Sequence, residues 1–260
     1  MCNIRKALWY QMRKDLLLFV ATIMALIIPS CIVFMDTGFE KMSGGMSAVA
    51  VSEFFPMIAY YYLFLVVPKI FGGDFKDKVL NYEVLGGHNR KDVFGVRAGM
   101  ALVFPISVLI ISFVIPIGIT TALHGFGGNI TLKELVILYG MFVCTMIRFA
   151  VECMLITMLV GSSLMGQIFT CIGEEMMMLP VVIVGGFEDE IKGGYFSALF
   201  RMTSVLNFNN CRTGYYNGED IVQFIIKPDA FAWFMDSAGA LCIASLLLFI
   251  TYRIFRKKNL

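Results

Sequence analysis

Two stretches of this chain, Leu16 to Met35 and Ala98 to Leu123, contain no charged side chain. A helix crosses the roughly 30 Å hydrocarbon core of a bilayer with about 20 apolar residues. Runs of that length leave a soluble domain little room to hide them. Of the 260 residues 58% are hydrophobic and 15% charged, too little polar surface to wrap a soluble core of this size. The sequence therefore describes an all-α membrane protein.

Dividing the chain at its charged and glycine-rich stretches predicts one transmembrane domain over residues 1–260, with six spans at about 16–35, 54–71, 98–123, 135–160, 164–187 and 230–252. Pro29, Pro105 and Pro116 are expected points of bending. Leu16 to Met35 is too long for a signal-peptide core, and no small-residue cleavage site follows it. Ahead of it, Ile4, Leu8 and Met12 fall at helical spacing among Arg5, Lys6, Arg13 and Lys14. That pattern predicts an amphipathic N-terminal helix in the membrane interface, with Trp9 and Tyr10 at headgroup level. Residues 36–53 and 124–134 read as glycine-rich outer loops, and Gly161 to Ser163 leaves room only for a tight hairpin between spans four and five. Tyr60, Tyr61 and Tyr62 read as packing between helices.

Six spans put both termini on one side, and the distribution of Lys and Arg says which. The N-terminal region carries four, the segment 72–97 with Lys69 six, and the tail four, against six spread over the opposite side and Arg148 inside the membrane. The positive-inside rule then predicts cytoplasmic N- and C-termini in a multi-pass protein of the plasma membrane. The outer segment 188–229 faces the other way.

The seven cysteines are scattered and show no CxxC spacing, and the 18 methionines are spread along every apolar segment, so both read as packing residues. No phosphate loop, HExxH zinc motif or GxSxG elbow occurs. The expectation is a chain with no catalytic residues, no metal and no cofactor of its own. Arg148, Glu152, Glu174 and Glu175 form a candidate intramembrane polar cluster: charge is costly there and must face protein or water. A structural ion pair that locks the hairpin is preferred over a substrate or gating site. Glu174-Glu175 resembles the paired glutamates of CAAX-protease-like intramembrane proteases, but Leu179 stands where that element carries Arg and no span holds a histidine, so a protease is disfavoured. A channel or secondary transporter lacks the paired broken helices it needs.

The charged segment 72–97 is the most informative. Asp74 follows span two, Arg90 stands sixteen residues on, and Arg97 seven beyond that. This spacing resembles the cytoplasmic loop of ABC-2 type ABC transporter permeases, with Lys78-Val79 where Gly-Thr is frequent and Arg97 where Lys is usual. The basic start, six spans, short turn and long outer segment resemble the same family. The resemblance implies an ABC exporter subunit coupling ATP hydrolysis to export of an unidentified substrate. ATP would be bound by a separate ATPase subunit docked on the coupling loop through Asp74, Lys78, Glu83, Arg90 and Arg97. It also implies a second permease subunit, as homo- or heterodimer, around the pathway in the lipid bilayer, and no nucleic acid partner. Within the loop, Lys78 to Leu85 is the expected coupling helix, hinged at Gly72-Gly73 and Gly86-Gly87. The alternative function is an immunity or signalling permease that binds a peptide or partner through its outer segment.

Overall fold

The computed structural model describes residues 2–37, 43–73, 89–127, 131–173, 215–217, 221–223 and 230–257. In chain order the elements are α1 (Cys2–Lys14), α2 (Leu16–Thr37), α3 (Gly44–Gly72), α4 (Arg90–His124), α5 (Leu132–Val160), α6 (Ser163–Gly173), β1 (Tyr215–Asn217), β2 (Ile221–Gln223) and α7 (Ala230–Lys257). Apart from short caps and turns, the described residues are helical except for the β1–β2 pair, an antiparallel ribbon with Tyr216 opposite Val222.

Among the described residues four helices are long and apolar enough to cross a membrane: Leu16–Met35, Arg90–His124, Leu132–Val160 and Ser237–Lys257. The bent α3 makes a fifth if its two arms count as one span. The expected span 164–187 appears as α6 up to Gly173, and its remainder lies outside the described residues. Large apolar side chains cover the outer faces, among them Val20, Met24 and Phe34 on α2, Val103 and Val114 on α4, and Leu246 and Phe249 on α7. Water would not tolerate that much contiguous apolar surface, whereas lipid would.

α3 is the hub. It packs against α2, α4 and α5, and Ala59, Leu63, Val66, Val67 and Phe71 are sealed from solvent along it. Residues 36–53 were expected to be a loop, yet α3 begins at Gly44 and bends by 60° between Gly44–Ser52 and Met57–Gly72. Ser43 caps it, accepting from Met46 N, and Pro56 at the bend has no N–H to continue the ladder. The glycines and serines of this arm look like loop composition but serve close packing. Gly44 and Gly45 donate to the carbonyls of Gly125 and Phe126 at 2.9 and 3.0 Å, satisfying first-turn donors that a helix cannot satisfy itself.

α4 likewise starts earlier than the boundary at 98 suggests. Asn89 caps it through its side chain, and Val93, Phe94 and Val96 are buried, so the first two turns belong to the bundle. At 35 residues the helix is about 52 Å long, well beyond the apolar layer. It continues unbroken through Pro105 and Pro116. α5 starts at Leu132 behind a capping box in which Thr131 and Glu134 satisfy each other's backbone N–H groups. The tight hairpin is present: Gly161 adopts φ 73°, a left-handed cap suited to glycine, and α6 follows at Ser163. α7 packs chiefly on α5 and buries Ala240, Ala244, Thr251 and Phe255, spacings that trace one face of a helix.

These contacts define two ends of the bundle. At the near end α1, the C-terminus of α3, the N-terminus of α4 and the C-terminus of α7 meet. At the far end the start of α3 meets the loop after α4 and the start of α5.

Candidate functional site

The near end is assembled from side chains distant in sequence. Phe94, on the second turn of α4, contacts Phe71 of α3 at 6.0 Å between ring centroids, and Tyr252 and Phe255 of α7 at 5.2 and 5.3 Å. The Phe71 contact is edge-on and the two α7 contacts are tilted, arrangements that aromatic quadrupoles favour. One turn earlier, Arg90 Nη1 donates to the carbonyl of Arg256 at 3.0 Å. A guanidinium on the last carbonyls of a helix meets the negative end of its dipole, so Arg90 ties the start of α4 to the end of α7.

Arg97 lies two turns inside α4 and is 1% exposed, the largest of the fully buried side chains. The sequence places it at the opening of span three; the early start of α4 at Arg90 puts it within the packed helix instead. Removing a guanidinium from water is costly, so its burial makes the surrounding structure intolerant of change. Asp74, Lys78 and Glu83, together with the proposed coupling helix Lys78 to Leu85, lie outside the described residues. Of the five loop residues, the structure therefore positions Arg90 and Arg97.

The intramembrane cluster is half visible. Arg148 Nε donates to Glu152 Oε1 at 2.9 Å, an i,i+4 pair on α5 with both side chains largely buried. Glu174 and Glu175 lie outside the described residues. Next to the pair, Phe149 stacks on Tyr60 of α3 at 5.1 Å, and Tyr62 shares a hydrogen bond with Thr22, so two tyrosines of the run do pack between helices. Tyr61 is 43% exposed.

Two polar residues that pattern reading passes over turn out to hold the bundle. Gln167 on α6 donates to the Leu65 carbonyl of α3 at 2.7 Å. Asp15 interrupts α1 and α2: its Oδ1 accepts from Leu17 N and Leu18 N, while its Oδ2 pairs with Lys69 Nζ at 3.1 Å. An Asp immediately before an apolar run is a helix-start signal.

Thr22, Ser112, Thr120, Thr145, Thr157, Thr170 and Thr251 all donate back to a carbonyl of their own helix. Ser47, Thr121 and Tyr139, at the far end, have buried hydroxyls with no hydrogen-bond partner among the described residues. Among the described residues no group of His, Cys, Asp and Glu is arranged to hold a metal ion. Comparison of the chain with family models, with curated proteins and with solved structures finds no match.

Proposed function

We propose that the chain is the membrane-spanning permease subunit of an ATP-driven exporter of the ABC-2 type, working with a separate ATPase subunit and a second permease subunit. The observation that carries this reading is α4. It is one continuous helix from Arg90, at the end of the charged segment, to His124 at the far end of the bundle. A displacement applied near Arg90 is delivered along a rod, with no flexible linker to absorb it. The same rod is tied to α7 through Arg90 and Phe94, so two helices would move as a unit.

In this reading the ATPase seats on the segment containing Asp74, Lys78 and Glu83, on the cytoplasmic side of the plasma membrane. Arg90, at the start of α4, ties that helix to α7. Arg97, being buried, stiffens the first turns of α4 and does not touch the partner. The Arg148–Glu152 pair is a structural element of α5. The cargo and its path lie in the bundle and the outer segment.

The test is co-purification of the full chain with an ATPase subunit from its native membrane, followed by ATP hydrolysis in nanodiscs. The expected result is a stoichiometric complex whose hydrolysis falls at least severalfold in Arg90→Glu, with the variant still correctly inserted. A chain that purifies alone under gentle extraction, or an Arg90→Glu complex of unchanged association and turnover, overturns the reading.

A further inference from the structure

We infer that the near end of α2 and α3 is a binding site for one anionic glycerophospholipid, its phosphate held between Lys14 and Lys69 and an acyl chain laid along the groove between the two helices.

Two adjoining features carry this. The first is a polar cavity of about 340 Å³ at the elbow where α1 turns into α2, lined by Tyr10, Lys14, Asp15 and Lys69 with apolar neighbours. Its volume lies at the lower end of the range for small-molecule sites, about 300–1,000 Å³. Among the described residues that line it, two ammonium groups and one carboxylate leave one net positive charge, the complement of a single phosphodiester. The carboxylate is already committed: Oδ1 of Asp15 accepts from the first amides of α2 and Oδ2 from Lys69. Lys14 lies over the Tyr10 ring at 4.5 Å, which holds it at the cavity without a competing anion.

The second feature is an apolar groove of about 780 Å³ between α2 and α3, beginning at Leu16 and Leu65 and running past Met24 and Met57 to Ile32 and Phe54. Leu16 follows Asp15 directly, and Leu65 lies one helical turn from Lys69 on the same face. The groove therefore continues from the polar cavity. Leu16 to Ile32 covers about 24 Å of helix, more than the depth of one leaflet, about 15 Å. A cationic head site opening onto an apolar channel of leaflet depth has the polarity profile of a phospholipid. It lies in the leaflet where the basic helix α1 would sit. An amphipathic helix alone would attract anionic lipid loosely; the paired lysines over a shaped cavity select one molecule.

The test uses the full chain with Trp233→Phe, so that Trp9, on α1 between the cavity-lining Leu8 and Tyr10 in sequence, reports alone. The protein is reconstituted with phosphatidylcholine, and spin-labelled phosphatidylglycerol or spin-labelled phosphatidylcholine is titrated in. The expected result is half-quenching of Trp9 at about fivefold lower mole fraction for the anionic lipid, as expected for a second cation near the surface. That preference should vanish in Lys14→Gln/Lys69→Gln, persist in Lys133→Gln, and resist excess inorganic phosphate. Equal quenching by both lipids in the parent protein means ordinary annular lipid and overturns the site. A preference that survives the double variant assigns the attraction to the surface of α1, and displacement by phosphate alone assigns the cavity to a soluble anion; either result overturns the proposal. If the double variant is misfolded by circular dichroism, Lys14→Gln alone and a salt titration of the parent protein decide: a preference unchanged by both sinks it.

Discussion

The two ends of the bundle are joined by different physics. At the near end, side chains reach across: the Phe94 cluster, Arg90 on the Arg256 carbonyl, and Lys69 with Asp15. At the far end, backbone meets backbone. Gly44 and Gly45 donate to the loop after α4, Ser43 Oγ donates to the Gly127 carbonyl, and the nearby hydroxyls of Thr121 and Tyr139 have no partners among the described residues. An end held by side chains can be loosened by removing atoms. An end held by main chain is loosened by adding them. The charged contacts of the near end contribute little energy by themselves, because the Lys69–Asp15 pair is a quarter to a third exposed, and such pairs are worth about 0–1 kcal/mol. The aromatic cluster carries the weight there, while the charges set which residues face each other.

The largest effect is therefore expected from Phe94→Ala. The side chain is 7% exposed and touches rings on two other helices, and Phe-to-Ala changes in a core cost about 3–5 kcal/mol. Reversible unfolding of the purified protein in detergent should show a loss of that size. A loss below about 1 kcal/mol would mean that the near end depends on its charges after all, and the contrast between the ends would fail.

At the far end the corresponding probe is Gly44→Ala. A methyl group there would collide with Thr121, and helix-to-helix backbone contacts leave no space to relax. Overpacking of this kind costs about 1–3 kcal/mol. Thr121→Ala should be nearly silent alone, since its hydroxyl makes no hydrogen bond, and should recover part of the loss in the double variant. Additive losses would show that the arm is not seated on α4 as described.

Much of this was legible in advance, and the gaps have physical causes. The long uncharged runs announced helices of membrane-crossing length, whereas the ion pair expected to lock the hairpin is, among the described residues, an i,i+4 pair within α5. Gly161 was readable as a hairpin because so few residues separate two apolar runs. The arm Gly44–Ser52 was not readable, since glycine and serine signal loops unless a neighbour supplies acceptors, and those acceptors come from Gly125 and Phe126 some eighty residues away. The start of α4 at Asn89 and the capping box Thr131–Glu134 are written locally in the sequence, but dense charge around the first and glycine before the second mask them. Gln167 and Asp15 are single polar residues whose importance depends entirely on which carbonyl or lysine the fold brings beside them.

A smaller effect should follow Arg90→Gln. The side chain is partly exposed and its bond is to a helix terminus, so the stability loss should be about 0.5–1 kcal/mol and should shrink at high salt. Comparing it with Phe94→Ala in the same unfolding assay separates positioning from holding at the near end. A salt-independent loss would instead mean that Arg90 acts through packing of its stem.

The finest discrimination comes from Tyr139→Phe. Tyr139 packs its ring on Phe113 at 4.7 Å and sits beside Ala48 and Val49 of the arm, but its buried hydroxyl has no partner. Removing a hydroxyl that is hydrogen-bonded in the fold typically costs about 1 kcal/mol, whereas removing one that folding has stripped of water without replacement is neutral or stabilising by up to about 1 kcal/mol. The ring contact survives the substitution, so the change isolates the hydroxyl. An unchanged or raised unfolding midpoint is expected, in contrast to Thr157→Val on the same helix, whose hydroxyl donates to the Cys153 carbonyl at 2.6 Å. If Tyr139→Phe is the more damaging of the two, the far end is held by a polar side-chain contact as the near end is, and the difference between them is one of degree.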